Sequence, residues 1–137
     1  MSTRKVRDAM TTDVATVNMN DPLAVADDVM RLGRVRHMPV VDDDGELVGL
    51  VTQRDLFFGG LLRALGYGAF AKQKALENYL VKDAMTSQLI TTSPDSDLSA
   101  AAQIMLEKKI GCLPVLEAGK LVGILTETDF VKLVLRR

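Results

Sequence analysis

Residues 49–55, Gly49-Leu50-Val51-Thr52-Gln53-Arg54-Asp55, recur as residues 123–129, Gly123-Ile124-Leu125-Thr126-Glu127-Thr128-Asp129. A second segment, Val6-Arg7-Asp8-Ala9-Met10-Thr11, recurs as Val81-Lys82-Asp83-Ala84-Met85-Thr86. The landmarks between them keep one constant spacing, since Thr16 matches Thr91, Leu23 matches Leu98 and Pro39 matches Pro114. A long unit present only twice indicates two copies of one supersecondary unit folded against each other.

The composition is that of an ordinary soluble globular protein. The chain has 137 residues, of which 47% are hydrophobic and 26% are charged, and its formal net charge is -1. This balance shows no bias toward nucleic acid or an anionic membrane. The first residues are polar and no segment is long enough to span a bilayer, so we expect a cytoplasmic protein without membrane or nucleic-acid partners.

Cysteine and histidine usage restricts the chemistry that the chain can perform. Cys112 is the only cysteine and His37 the only histidine. An internal disulfide and a Cys/His zinc site are therefore excluded. Nucleophilic catalysis would have to be assembled around a single imidazole. We expect neither an enzyme nor a metal protein.

Each copy is predicted to have the order β-α-β-β-α. A short extended segment at residues 16–17 or 91–92 precedes an amphipathic helix, for which Asp21 and Asp97 are candidate caps. A strand containing Pro39 or Pro114 follows, then a tight turn and a second strand. A second helix begins after Thr52 or Thr126. The predicted divisions are repeat 1 over residues 1–62, a helical connector over 63–80, and repeat 2 over 81–137.

This ordered series, given twice in register, resembles a tandem pair of cystathionine-β-synthase (CBS) domains, or Bateman module. The resemblance covers essentially the whole chain. It implies an α+β (mixed α/β) fold in which two repeats pack by pseudo-two-fold symmetry, with their sheets facing each other and their helices outside. It also implies a regulatory protein that binds adenine nucleotides or other adenosyl ligands in two clefts between the repeats.

The residues themselves suggest how such a ligand would be held. A carboxylate in the first turn of a helix can accept hydrogen bonds from both ribose hydroxyls, which makes Asp55 and Asp129 the leading candidates. Thr52 and Thr126 lie at helix starts, where anions are favoured. The alternative is that these four residues only cap their helices. An adenine ring needs apolar faces and backbone groups, which the other segments supply. The candidate ligand-binding residues are Thr16, Val17, Arg36, His37, Met38, Pro39, Val40, Thr52, Arg54, Asp55, Thr91, Thr92, Cys112, Leu113, Pro114, Val115, Thr126 and Asp129.

The two copies are not equivalent in charge. Arg54 is matched by Thr128, and Arg36 and His37 are matched by Gly111 and Cys112. Because guanidinium groups pair well with phosphate oxygens, the first copy is better equipped for a phosphorylated ligand. We expect AMP, ADP or ATP as the ligand, as in energy sensing, with NAD and S-adenosylmethionine as alternatives. We expect no required cofactor.

The second helix of each copy is unusually apolar. Its apolar residues are Leu56, Phe57, Leu61, Leu62 and Leu65 in the first copy, and Phe130, Leu133 and Val134 in the second. Such a stripe predicts a partner, and the family resemblance implies a homodimer through these helices. Alternatively, the connector folds back and covers the stripe. The regulated protein would be a separate chain, and the rival function is a dimerisation scaffold with ligand-free clefts.

Overall fold

A computed structural model describes residues 4–56 and 78–136, and the chain forms two compact units. The first-repeat unit consists of residues 15–89, and the second-repeat unit consists of residues 1–14 together with 90–137. Each unit thus includes a segment that belongs by sequence to the start of the other copy, residues 78–89 in the first-repeat unit and residues 4–14 in the second; these are called the leading segments. The predicted divisions at residues 62 and 80 concern the sequence repeats and stay a prediction. Most of the connector lies outside the described residues.

The first-repeat unit contains a three-stranded sheet. Strand β1 (Val17–Asn18) runs parallel to β2 (His37–Val41), which is antiparallel to β3 (Leu47–Thr52). Helix α1 (Leu23–Gly33) lies between β1 and β2 in the chain, and residues 53–56 start a second helix directly after β3. A 3₁₀ turn at Val81–Asp83 belongs to the leading segment.

The second-repeat unit repeats this plan with one strand shortened. Helix α2 (Leu98–Lys108) precedes the antiparallel strands β4 (Cys112–Glu117) and β5 (Lys120–Thr126), and α3 (Glu127–Leu135) follows. The leading segment carries a 3₁₀ turn at Val6–Asp8. The predicted extended segment at residues 91–92 is reduced to one parallel bridge between Thr92 and Val115. The mixed α+β class is confirmed.

Each unit has a separate apolar core formed by one helix face and the sheet. In the first-repeat unit the buried helix residues are Leu23, Ala26 and Met30, and in the second they are Leu98, Ala101 and Met105. This is the spacing of three to four residues that places side chains on one helix face. None of the helices in the described part of the chain has both the length and the apolar character that crossing a bilayer requires.

The predicted caps of these helices are not formed. Pro22 is the N-cap of α1, and the carboxylate of Asp21 instead accepts a hydrogen bond from the backbone of Asn18 at 3.1 Å. Asp97 is the N-cap of α2 but makes no capping hydrogen bond, because its carboxylate pairs with Lys5 at 2.9 Å. Ion pairing with the leading segment therefore replaces local capping in the second-repeat unit.

Two glycines let the leading segments lie directly on the sheets. A Cβ built at Gly123 would stand 2.9 Å from the sulfur of Met10 and 2.9 Å from the carbonyl oxygen of Thr11. A Cβ at Gly49 would stand 2.5 Å from the sulfur of Met85 and 3.1 Å from the carbonyl oxygen of Thr86. The repeated methionine-threonine pair and the repeated glycine are thus two sides of one contact in each unit.

Candidate functional site

In the second-repeat unit, strand β5 passes into α3 at a corner built around Asp129. The backbone N–H of Thr126 donates to Oδ2 of Asp129 at 2.9 Å, and the Thr126 hydroxyl lies 3.3 Å from the same oxygen. Together they form a capping box, in which the side chains of the N-cap and third helical residues satisfy each other's backbone. Asp129 is only 4% exposed. The local sequence thus buries a carboxylate at the start of a helix.

The leading segment supplies a third donor to this carboxylate. The hydroxyl of Thr11 donates to Oδ1 of Asp129 at 2.8 Å. Thr11 is held there by two backbone hydrogen bonds of 2.9 Å with Ile124. Sequence reasoning did not select Thr11, although its repetition as Thr86 in the recurring segment was a signal that could have drawn attention to it.

The corresponding corner of the first-repeat unit is more open. The backbone N–H of Thr52 donates to Oδ2 of Asp55 at 2.9 Å, and the Asp55 N–H donates to the Thr52 hydroxyl at 3.1 Å. Asp55 is partly exposed. Thr86 pairs with Leu50 through its backbone, as Thr11 does with Ile124. Within residues 4–56 and 78–136, however, the Thr86 hydroxyl makes no hydrogen bond to Asp55 like the one that Thr11 makes to Asp129.

The start of β2 brings the candidate basic residues to the first corner. His37 stands opposite Thr52 in the strand register, and the carbonyl oxygen of Arg36 accepts a hydrogen bond from Gln53 N–H at 2.8 Å. The Arg36 and Arg54 side chains are exposed, and His37 is half-buried. Three cationic or titratable side chains therefore lie on the segments that form the corner around Asp55.

The second corner has no such charges at the matching positions. Cys112 stands opposite Thr126, and the carbonyl oxygen of Gly111 accepts the N–H of Glu127 at 3.3 Å. Burial, reinforced by the negative charge of Glu127, raises the pKa of the Cys112 thiol from 9.0 to about 12. The thiol is therefore protonated at neutral pH and is a poor nucleophile.

The candidate residues expected beside an adenine ring are divided between core and surface. The apolar ones are buried in the unit cores, so only their backbone and edges are left for a ligand; these are Val17, Met38, Pro39, Val40, Leu113, Pro114 and Val115. The N–H of Thr92 donates to the carbonyl oxygen of Pro114 at 3.0 Å, which fixes this threonine beside β4. Thr16 and Thr91 are exposed.

A shallow groove of about 260 Å³ lies elsewhere in the second-repeat unit. It is lined by Arg4, Leu98, Ser99 and Phe130. None of these residues was a candidate for ligand binding, although Phe130 belongs to the apolar stripe predicted for the second helix, and the groove does not include Asp129. The corner around Asp129 and this groove are therefore separate features of the unit.

Comparison with known proteins gives the family of the whole chain. A family model, that of the CBS domain, matches residues 6–59 and again residues 81–136. A CBS domain-containing protein of Dictyostelium discoideum is 30% identical over 132 residues, which cover 96% of this chain and 91% of the relative. Other curated relatives are longer: the chain spans 42% of the length of an uncharacterized protein of Methanocaldococcus jannaschii, which is 33% identical over 94% of this chain.

Solved structures share the fold along nearly the full chain. CBSX2, solved in complex with AMP, has a TM-score of 0.80 and 29% identity, with 97% of each chain covered. A CBS domain pair solved in complex with 5′-methylthioadenosine and S-adenosyl-L-methionine has a TM-score of 0.78 and 25% identity, again with 97% of each chain covered. The three ligands of these two similar proteins share an adenosine group.

Proposed function

Because the chain belongs to the CBS domain family and carries two copies of the domain, we propose that it is a regulatory module that binds an adenine nucleotide or another adenosyl compound. The observation that carries this proposal is the carboxylate of Asp55, which Thr52 fixes at a helix start and which is partly exposed. A fixed and accessible carboxylate suits the vicinal hydroxyls of a ribose. The adenosyl ligands of the two similar structures support the same chemistry.

The basic residues around Asp55 favour a phosphorylated ligand. Arg36 and Arg54 are exposed on the two segments that meet beside Thr52. Guanidinium groups bind phosphate oxygens through charge-assisted hydrogen bonds. We therefore place AMP, ADP or ATP before NAD and S-adenosylmethionine as ligands of the first-repeat unit.

The proposed output is a change in the module that a separate protein reads. A ligand shifts a conformational equilibrium only by its difference in affinity for the two states. The chain also matches 24% of the length of a homoserine O-acetyltransferase of Methanohalobium evestigatum, at 31% identity. We propose a regulatory and non-catalytic role for this chain, with an enzyme as one class of regulated partner.

Exposed apolar residues on α3 favour a second role in assembly. Of the predicted stripe, Val134 is 65% exposed, whereas Phe130 and Leu133 are half-buried against the core of the unit. Val131 and Leu135, which were not predicted, are 60% and 79% exposed. We propose that α3 contributes to a homodimer. Leu56, expected in the matching stripe, is buried at 4% exposure, and Phe57, Leu61, Leu62 and Leu65 lie outside the described residues. Sedimentation of the wild type and of Val134→Glu tests this role, with a dimer expected for the wild type only and a wild-type monomer contradicting it.

The ligand proposal is tested by calorimetry with AMP, ADP, ATP, NAD and S-adenosylmethionine. Asp55→Asn removes the charge but keeps the shape, and we expect binding at the first site to weaken by about tenfold or more because a charge-assisted hydrogen bond is lost. Asp44→Asn, in an exposed turn, makes the same change in net charge and serves as the control. Absence of binding by the wild type across the panel would favour the scaffold role.

A further inference from the structure

The two corners differ at one side-chain contact. Oδ1 of Asp129 accepts a hydrogen bond of 2.8 Å from the Thr11 hydroxyl. In the part of the chain that the structure describes, the Thr86 hydroxyl makes no equivalent hydrogen bond to Asp55. Since Thr11 and Thr86 occupy equivalent positions on their sheets, the difference concerns the contact and not the fold.

We infer that Thr11 is a specificity-determining residue that competes with the ribose of an adenosyl ligand for Asp129. This inference rests on the proposed function. The second-repeat unit therefore binds such a ligand more weakly than the first. In the wild type the two sites fill in two steps as the ligand concentration rises. Asp55 serves the first step and Asp129 serves the second.

The geometry of the carboxylate explains the competition. Gripping a vicinal diol requires one accessible lone pair on each carboxylate oxygen. On Asp129 one oxygen already accepts from Thr126 and the other accepts from Thr11, and the side chain is only 4% exposed. Thr11 itself is exposed, so it forms the surface layer over this carboxylate. The Thr11 hydroxyl takes one lone pair of Oδ1 and covers this buried carboxylate, so a ribose hydroxyl must compete with it for that oxygen.

The leading segment holds Thr11 in place. The backbone of Thr11 makes two hydrogen bonds with Ile124. The carbonyl oxygen of Thr11 lies so close to Gly123 that a Cβ there would stand 2.9 Å from it. Lys5 pairs with Asp97 at 2.9 Å further along the same segment. A threonine is also restricted at χ1, so its hydroxyl does not turn away without cost. The contact is therefore a fixed feature of the unit, and displacing it lowers the apparent affinity for a ligand.

The test isolates the second site with Asp55→Ala and measures AMP binding by calorimetry. We expect Asp55→Ala/Thr11→Val to bind AMP about threefold to tenfold more tightly than Asp55→Ala, the gain from removing one competing hydrogen bond. Asp55→Ala/Thr11→Ser retains the hydroxyl and should match Asp55→Ala. Asp55→Ala/Thr86→Val removes the equivalent threonine of the first-repeat unit and should also match it. Far-UV circular dichroism verifies that each variant is folded.

The outcomes separate this inference from the proposed function. Unchanged AMP affinity on Thr11→Val overturns the inference while AMP binding by the wild type upholds the function. Weaker binding on Thr11→Val also overturns it, because Thr11 would then be a ligand contact. If the wild type binds AMP but Asp55→Ala/Thr11→Val does not, the inference alone is overturned. If neither protein binds AMP, the inference and the proposed function are both overturned.

Discussion

Replacing Gly123 by alanine should detach the leading segment from the second-repeat unit. The added Cβ would stand 2.9 Å from both the Met10 sulfur and the Thr11 carbonyl oxygen. The methionine side chain can move, but the backbone oxygen cannot move without breaking the paired hydrogen bonds between Thr11 and Ile124. Overpacking typically costs about 1–3 kcal/mol. Weakening the two backbone bonds adds about 1 kcal/mol. We expect the free energy of unfolding to fall by about 2–4 kcal/mol.

Urea and thermal unfolding monitored by circular dichroism measure this loss, which corresponds to a decrease in Tm of about 10 °C. Gly33→Ala is the matched control, because its Cβ meets only Val35 at 4.0 Å and alanine favours the helix. Gly123→Ala/Met10→Ala should recover part of the loss, since the contact with the Thr11 oxygen persists. The reasoning is refuted if Gly123→Ala unfolds like the wild type or like Gly33→Ala.

Three further changes test other parts of the structure. Ala118 has a φ of 52° in the hairpin turn, so Ala118→Asn should raise Tm by about 2–4 °C in a thermal melt because asparagine tolerates this conformation better. Because the pKa of Cys112 is raised to about 12, the thiol of the folded protein stays neutral at a pH where the thiol of the unfolded chain ionises. The free energy of unfolding should therefore fall as pH rises above 9.0, and it should fall less steeply in Cys112→Ala. Equal pH dependence in the two proteins would contradict the raised pKa. Without ligand, Asp129→Ala should cost about 1–2 kcal/mol more in urea unfolding than Asp55→Ala, because it also removes the hydrogen bond from the Thr11 hydroxyl to a charged acceptor. An equal cost would show that the Thr11 bond adds nothing.

The duplication allowed the element order to be predicted from the sequence. The apolar spacing of Leu23, Ala26 and Met30 identified a core-facing helix because one stripe of a helix must be buried. The predicted tight turn between β2 and β3 was recognisable because it contains Gly45, and glycine adopts the observed φ of 82° without strain. The strand at residues 91–92 was overestimated, since its local sequence cannot show how many bridges it will form.

The sequence repeat could not predict that each leading segment belongs to the unit of the other copy. Because both copies contain the same Met-Thr pair and the same glycine, the sequence alone allows Met10 and Thr11 to pack on either Gly49 or Gly123. Only the folded chain shows that it lies on Gly123 and that Thr11 reaches Asp129. Asp55 and Asp129 were selected from their positions at helix starts, and their unequal hydrogen bonding depends on contacts between residues distant in sequence.

The central claim is that the carboxylate of Asp55 grips the ribose of an adenosyl ligand, and comparing AMP with 2′-deoxy-AMP tests it most directly. Calorimetry should show the wild type preferring AMP by about tenfold or more, the value of one hydrogen bond to a charged acceptor. In an Asp129→Ala background, which leaves only the first-repeat site, Asp55→Asn should largely remove this preference, whereas Asp44→Asn should keep it. An AMP preference that survives in Asp55→Asn/Asp129→Ala would contradict the account.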